Sequence, residues 1–238
     1  MAALKISIIA FGIFLSCHTS LSHASNAQKT AFLPNYTATY STLWKKGISL
    51  KVKGTQTLKK KSESLWVFTF SAKNFFASLY ESSSFQVTEG QIIPQEYEYK
   101  SSVFGKKKTA LLTFNWDKNI VRNDIKNKPW NLSIQPDTLD KLSVQLQIRQ
   151  DLKNQKDILD YQIADGGRIK NWTFEQQGTE KVSTKIGDIS AIKVMRTDNL
   201  HKGKQTFFWF APKYDYLLVK LEHKEDKELY QLNIESLK

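Results

Sequence analysis

Among the side chains that could do chemistry, histidine and cysteine are scarce. The chain has four histidines and one cysteine, and Cys17, His18 and His23 all fall within the first 24 residues, which leaves His201 and His223 for the rest. Two histidines with no cysteine beside them do not make a His/Cys ligand set, so no metal site is expected. The nucleophile-elbow pattern, with Gly two residues either side of a Ser, does not occur. No glycine-rich phosphate loop opens a helix, so no cofactor is expected and no catalytic residue is assigned. His201 lies in a polar loop and His223 in the charged run Glu222 to Glu228. Both read as solvated surface residues, although histidine titrates in the range that suits acid–base work.

Paired carboxylates are the remaining enzymatic option. Asp137, Asp140 and Asp151 border a helical pattern, and Asp165 precedes Gly166-Gly167. Helix capping, helix-dipole complementarity and Asx-type turn geometry account for Asp137, Asp140 and Asp165 in turn. Nothing in the spacing brings two of them to the separation that glycoside hydrolysis requires. The expectation is a protein that is not an enzyme, with a carboxylate-based hydrolase as the weaker alternative.

Charge and aromatic content point elsewhere. The chain carries 35 Lys+Arg against 23 Asp+Glu, a net +12, with Lys59-Lys60-Lys61 and Lys106-Lys107-Lys108 at or near expected turns. One reading makes these solvated strand ends; the other makes them contacts to anionic lipid head groups or acidic polymers. Nucleic acid is not an expected partner, since no recognition motif accompanies the charge. Trp66, Phe68, Phe70, Phe75, Phe76, Phe114, Trp116, Phe208 and Phe210 sit in or beside expected strands. They are core candidates, and also the candidate lining of an apolar cavity, because a strongly curved sheet can enclose more volume than its side chains fill. The stretch Asn74 to Leu79 abandons alternation and reads as an apolar bend, either a buried corner or a gate to such a cavity.

These residues are positioned by strand after strand. Period-2 alternation dominates from Tyr36 onward: Trp66, Phe68 and Phe70 share one face, and Ile48, Leu50 and Val52 another. Further strands are expected at Ser82 to Glu89, Gln95 to Ser101, Thr109 to Trp116 and Ile120 to Ile125. Beyond Ile158 they continue over Ile158 to Ile163, Ile169 to Gly178, Glu180 to Ile186, Ile189 to Arg196, Gln205 to Phe210, Leu217 to His223 and Leu229 to Glu235. Short turns at Glu89-Gly90, Phe104-Gly105 and Asp117-Lys118-Asn119 make neighbours pair antiparallel. Only one segment changes period: after Pro136-Asp137-Thr138, with Asp137 or Thr138 as N-cap, Leu139, Leu142, Leu146 and Leu152 recur at helical spacing. The fold class expected is all-β with one helix. An antiparallel meander of this many strands must curl into a strongly curved sheet or up-and-down β-barrel, with the amphipathic helix packed across it.

The N-terminus reads as a signal peptide over residues 1–24. A charged start at Lys5, an apolar run from Ile6 to Leu15 and Ser22-His23-Ala24 give the three-part pattern, with Ser25-Asn26-Ala27 as a second cleavage site. Residues 25–238 then form a single exported, periplasmic domain. The alternative is a lipoprotein anchored at Cys17, where Phe14-Leu15-Ser16-Cys17 partly matches a lipobox.

The order of features resembles bacterial exported proteins of the domain of unknown function 3108 family (DUF3108). The resemblance rests on Tyr36-Thr37-Ala38-Thr39-Tyr40, Gly90 to Pro94 leading into Gln95-Glu96-Tyr97-Glu98-Tyr99, and Lys128-Pro129-Trp130 before the helix. It continues through Ala164-Asp165-Gly166-Gly167, Gly187-Asp188, Phe208-Trp209-Phe210-Ala211-Pro212 and Asp215-Tyr216-Leu217-Leu218-Val219-Lys220, with Leu218 where the family often has Pro. It implies an envelope location, a β-rich fold and no established activity. The function expected is therefore non-enzymatic: binding of an apolar or amphiphilic envelope molecule, such as a lipid, inside the curved sheet. The alternative is an envelope interaction protein that uses its basic turns on an anionic membrane surface.

Overall fold

The computed structural model describes residues 32–46, 48–125 and 128–238. The expected signal peptide, its cleavage sites and Cys17 lie outside the described residues, as do Gly47, Lys126 and Asn127.

Alternation dictates the local structure. In β3 (Trp66–Lys73), Phe68 and Phe70 are buried while Val67, Thr69 and Ser71 are not, as one pleated face demands. From the middle of the sheet, β1 (Tyr36–Lys46), β2 (Ile48–Lys60), β3, β4 (Ala77–Thr88), β5 (Gln91–Val103), β6 (Lys106–Asn115), β7 (Ile120–Ile125) and β8 (Lys128–Ser133) run as a meander to one edge. The chain then begins again at the opposite edge with β9 (Leu139–Asp140), followed by helix α1 (Ser143–Lys153) and β10 (Leu159–Asp165). It returns through β11 (Arg168–Thr184), β12 (Gly187–Arg196), β13 (Lys204–Ala211), β14 (Leu217–Glu225) and β15 (Glu228–Leu237), which pairs with β1. All 15 strands belong to one sheet, and every pairing is antiparallel except the short β9–β10 ladder.

This order forces curvature. Fifteen strands laid flat would put the edges roughly 65 Å apart. Yet β8 and β9, the two edges, are joined only by residues 134–138, a stretch that spans roughly 20 Å at most. The sheet must roll until its edges approach, and bulges in its ladders at Thr39/Tyr40, Ser84/Phe85, Gln176/Thr179 and Trp209/Phe210 supply bends. Trp130 of β8 then lies directly over Gly167 in the β10–β11 turn, where an added Cβ would fall 2.0 Å from Trp130 Cζ2.

The rolled sheet encloses a core in which Tyr40, Phe68, Phe85 and Phe210 are completely buried. Each such side chain contributes about 1.5–3 kcal/mol through burial. Helix α1 is enclosed as well. The expected leucine stripe is buried together with Arg149, which recurs within it at the same spacing, and so are Gln147, Gln150 and Asp151 beside and opposite it.

Three boundaries differ from expectation. The helix begins at Ser143, not after Thr138: Pro136-Asp137-Thr138 closes a turn in which Thr138 Oγ1 accepts the Gln135 N–H, and Leu139–Asp140 is drawn into the β10 ladder. The carboxylate that caps the helix is Asp140, whose Oδ1 accepts the N–H groups of Leu142 and Ser143, instead of Asp137 or Thr138. The two strands expected on either side of Gly178 are one, β11, because Gly178 adopts φ +90° at a bulge and the ladder resumes beyond it. Lys128–Ser133, unassigned in the sequence reading, forms edge strand β8.

Candidate ligand-binding surface

The concave side, where the sequence reading places a ligand, holds α1 and a core of aromatic side chains. Phe68, Phe70, Phe114, Phe208 and Phe210 are buried in the core, with Phe208 and Phe210 stacked at 6.1 Å, and Trp66 and Trp116 pack partly buried against it. Phe75 and Phe76 do not line the interior. They are 93% and 53% exposed in the β3–β4 turn, so this stretch is neither a buried corner nor a gate. The reason is local: Asn74 Oδ1 accepts the backbone N–H groups of both Phe76 and Ala77, making a tight Asx turn that holds the two rings beyond the ends of the strands.

Phe104 joins them. It stands at φ +47° and Gly105 at φ +78°, the backbone of a type I′ hairpin between β5 and β6. A bulky residue in the left-handed region costs on the order of 1 kcal/mol, and Phe104 is 56% exposed besides. Its N–H donates to the Phe76 carbonyl at 2.9 Å, and the Phe76 and Phe104 rings are 5.7 Å apart. Three phenylalanines from two hairpins thus form one exposed cluster.

Next to this tip, a groove of about 620 Å³ runs across the outer face of β2 to β6. Register sets its lining in two rows. Thr55, Ser71, Tyr80, Lys100 and Thr109 lie side by side on successive strands, and one step nearer the tip lie Lys73, Ser78, Ser102 and Lys107. Among the described residues no carboxylate pairs with Lys53, Lys73 or Lys107, whereas Lys100 pairs with Glu98 at 2.5 Å. A second groove of about 470 Å³, with Lys51, Lys53 and Lys185, continues over β1, β2 and β15. Ammonium groups interleaved with hydroxyls match the oxygens of a phosphate or carboxylate.

The carboxylates weighed for catalysis are not brought together. Asp137 is exposed and Asp165 pairs with Lys170 at 2.6 Å. Asp140 and Asp151 are buried but stand at opposite ends of α1, roughly 15 Å apart by helical rise. Burial pushes the Asp140 carboxyl above its ordinary range, against bonds from Ser83 and from the N–H groups of Leu142 and Ser143 that favour the charged form. Asp151 accepts from Gln147 Nε2 and the Tyr161 hydroxyl and pairs with Lys156. His201 is exposed, and His223 Nδ1 lies 2.7 Å from Thr206 Oγ1.

Sequence reasoning missed the seam that these groups form. Lys141, half-buried, pairs with Glu81 at 3.1 Å and lies 4.7 Å from the Tyr99 ring centroid. Burial works against its charge, but Glu81 and Asp165 outweigh this and hold its pKa above the ordinary lysine range. Ser83 Oγ donates to Asp140, and Gln147 Oε1 accepts the Ile92 N–H. Arg149 donates to the Asp215 carbonyl, with its guanidinium 5.0 Å from the Tyr36 ring centroid. Burial, opposed by Arg149, raises the Tyr36 hydroxyl to about 12. These contacts fasten β9 and α1 to the inner face of β4 and β5, and through Arg149 tie α1 to β1 and to the β13–β14 connection.

The fold and its surface define a class: among the described residues, one barrel-like, rolled, almost wholly antiparallel sheet encloses a single α-helix and carries a lysine-lined groove on its outside. The chain belongs to the family described as protein of unknown function DUF3108, whose model matches residues 35–229. No curated protein matches it. Among solved structures it is similar to a beta-barrel-like protein of domain of unknown function DUF1849 from Brucella abortus, at TM-score 0.59 and 6% identity over 87% of this chain and 98% of that one. At that identity the likeness shows the fold alone. A putative outer membrane lipoprotein-sorting protein domain from Vibrio parahaemolyticus matches at TM-score 0.24 and 11% identity, over 89% of this chain and 87% of that chain.

Proposed function

We propose that the protein is an exported, non-enzymatic binder of an anionic, amphiphilic cell-envelope molecule. The observation that carries this reading is the outer groove, where Lys53, Lys73 and Lys107, unpaired with any carboxylate among the described residues, and the hydroxyls of Ser71, Ser78, Ser102 and Thr109 border an exposed aromatic cluster. The lysines and hydroxyls hold the acidic head group, and the phenylalanines lie where its apolar part would continue. The envelope location rests on the signal-peptide pattern over 1–24. The non-enzymatic reading is supported by the buried carboxylates, each engaged in holding α1.

Titration calorimetry with monomeric dioctanoyl phosphatidylglycerol tests the reading. Saturable binding is expected, absent with the phosphatidylcholine analogue and at least about tenfold weaker in Lys73→Glu/Lys107→Glu, a loss of about 1.4 kcal/mol. Heat indistinguishable from dilution, or equal affinity in the double variant, would reject it.

A further inference from the structure

We infer that Phe75, Phe76 and Phe104 form a membrane-inserting tip that docks the protein on an anionic bilayer and sets the outer groove at head-group level. The inference rests on the head-group reading of that groove, and adds where the ligand is met: in the plane of a membrane.

Three observations converge. First, the apolar surface is concentrated and projecting. Phe75 and Phe76 meet edge to face at 5.1 Å, Phe76 and Phe104 at 5.7 Å, and all three are more than half exposed. Exposed aromatic clusters of this kind mark interaction sites. Aromatic rings also favour the membrane–water interface.

Second, the charge around the tip has one sign. Residues 48–55, 71–80 and 99–109, which build this end of strands β2 to β6, contain seven lysines and no Asp or Glu. Lys73 immediately precedes the first aromatic turn, and Lys106, Lys107 and Lys108 immediately follow the second. All four are exposed, and among the described residues none is paired with a carboxylate. Long lysine stems let the ammonium groups stay at phosphate level while the rings go deeper.

Third, the geometry joins the two features. The two hairpins are tied to each other by the Phe104 N–H bond to the Phe76 carbonyl, so the three rings present as one unit. The nearer row of the groove, Lys73, Ser78, Ser102 and Lys107, begins two or three residues behind the rings along each strand, a rise of roughly 7–10 Å. With the rings inserted to that depth, the row lies among the phosphates. The commitment to a bilayer over another protein follows from this pairing of an apolar point with an uninterrupted cationic collar. That is the pattern that anionic lipid attracts.

Each ring removed from water contributes a factor of about ten or more in affinity. Each lysine near an anionic surface contributes about a factor of five. The test is co-sedimentation of the full chain with vesicles of phosphatidylcholine containing 30% phosphatidylglycerol (roughly physiological anionic content) or none. Binding to the anionic vesicles is expected, with little to the neutral ones. Phe75→Ser/Phe76→Ser/Phe104→Ser should lose at least about a hundredfold in affinity, and Lys106→Ala, which lies outside the groove, about fivefold. Thermal melts should show both variants folded, and both should still bind monomeric dioctanoyl phosphatidylglycerol. Loss of vesicle binding with monomer binding retained supports the tip. Equal vesicle binding by the triple variant, no binding by the parent chain, or a tip that instead holds two copies together in light scattering would overturn it. Failure of monomer binding in the parent chain while vesicles still capture it through the rings would sink the groove reading and leave the tip.

Discussion

Midway along β4 and β5, Glu81, Ser83 and Tyr97 face inward and meet Asp140 and Lys141 in a buried seam, with the Tyr97 hydroxyl donating to Glu81 at 2.7 Å. At the ends of the same two strands, Phe76 and Phe104 stand in water beside lysines that pair with no carboxylate among the described residues. The first arrangement buries charge and satisfies it; the second exposes apolar rings and leaves charge unpaired. Both run against the ordinary distribution of residues, for opposite reasons. β9 has its one backbone ladder with β10, and neither it nor α1 shares a ladder with β4 or β5, so across the seam side chains make the bonds. The tip ties together only its own two hairpins, and its exposed rings are free to serve a partner.

If the contrast is right, substitutions at the seam cost stability and those at the tip do not. Asp140→Ala should have the largest effect, since it strips partners from Ser83, Leu142 and Ser143. A loss of about 3–5 kcal/mol in urea denaturation is expected. Asp140→Asn keeps an acceptor for both N–H groups and can donate to Ser83, so near neutral pH it should fall within about 1 kcal/mol of the parent chain.

The same pair has a pH signature. Because burial raises the folded pKa of Asp140, its contribution to stability is fully present below the unfolded carboxyl pKa and is lost as pH rises through the raised folded value. The parent chain should therefore gain on Asp140→Asn as the solution is acidified from pH 7 toward pH 4. Denaturant midpoints that keep a constant separation across that window would contradict this.

Gly167→Ala probes where the edges of the sheet meet. The new methyl group would strike Trp130 at a backbone φ of +73°, and a loss of about 2–3 kcal/mol with a change in tryptophan emission is expected. At the tip the sign reverses. Phe104→Asn replaces a strained, exposed ring with a residue that tolerates the left-handed region, and should gain about 1 kcal/mol in thermal denaturation while weakening vesicle binding. Phe75→Ser should be smallest, within about 0.5 kcal/mol. A large destabilisation there would erase the distinction between the two regions.

Local pattern carried most of the strands and neither of these regions. Alternation at Trp66, Phe68 and Phe70 identified β3 because a pleated strand with one buried face leaves that trace in any sequence. The helix was legible from its leucines, but its start was not. Leu139 fits the helical stripe and the β10 ladder equally well, and only the arrival of β10 beside it decides. The seam was hidden because Glu81, Ser83 and Lys141 look like ordinary solvated residues until a helix 60 residues away is folded onto them. The tip had a signal: lysines in tracts without acids, next to phenylalanines that break alternation.

What the sequence determined by itself was therefore everything that depends on neighbours along the chain: all-β character, one helix, short antiparallel turns and two lysine triplets at turns. Tertiary structure decided what depends on residues distant in sequence. It rolled the sheet so that β8 and β9 approach, enclosed the polar side of α1 and gathered Phe75, Phe76 and Phe104 at one end. It also sent Lys60 to the far end, beside Trp66, so the two triplets are not one patch. The physical reason is that strand pairing fixes faces locally, whereas the number of strands and the short link between the edges fix curvature globally.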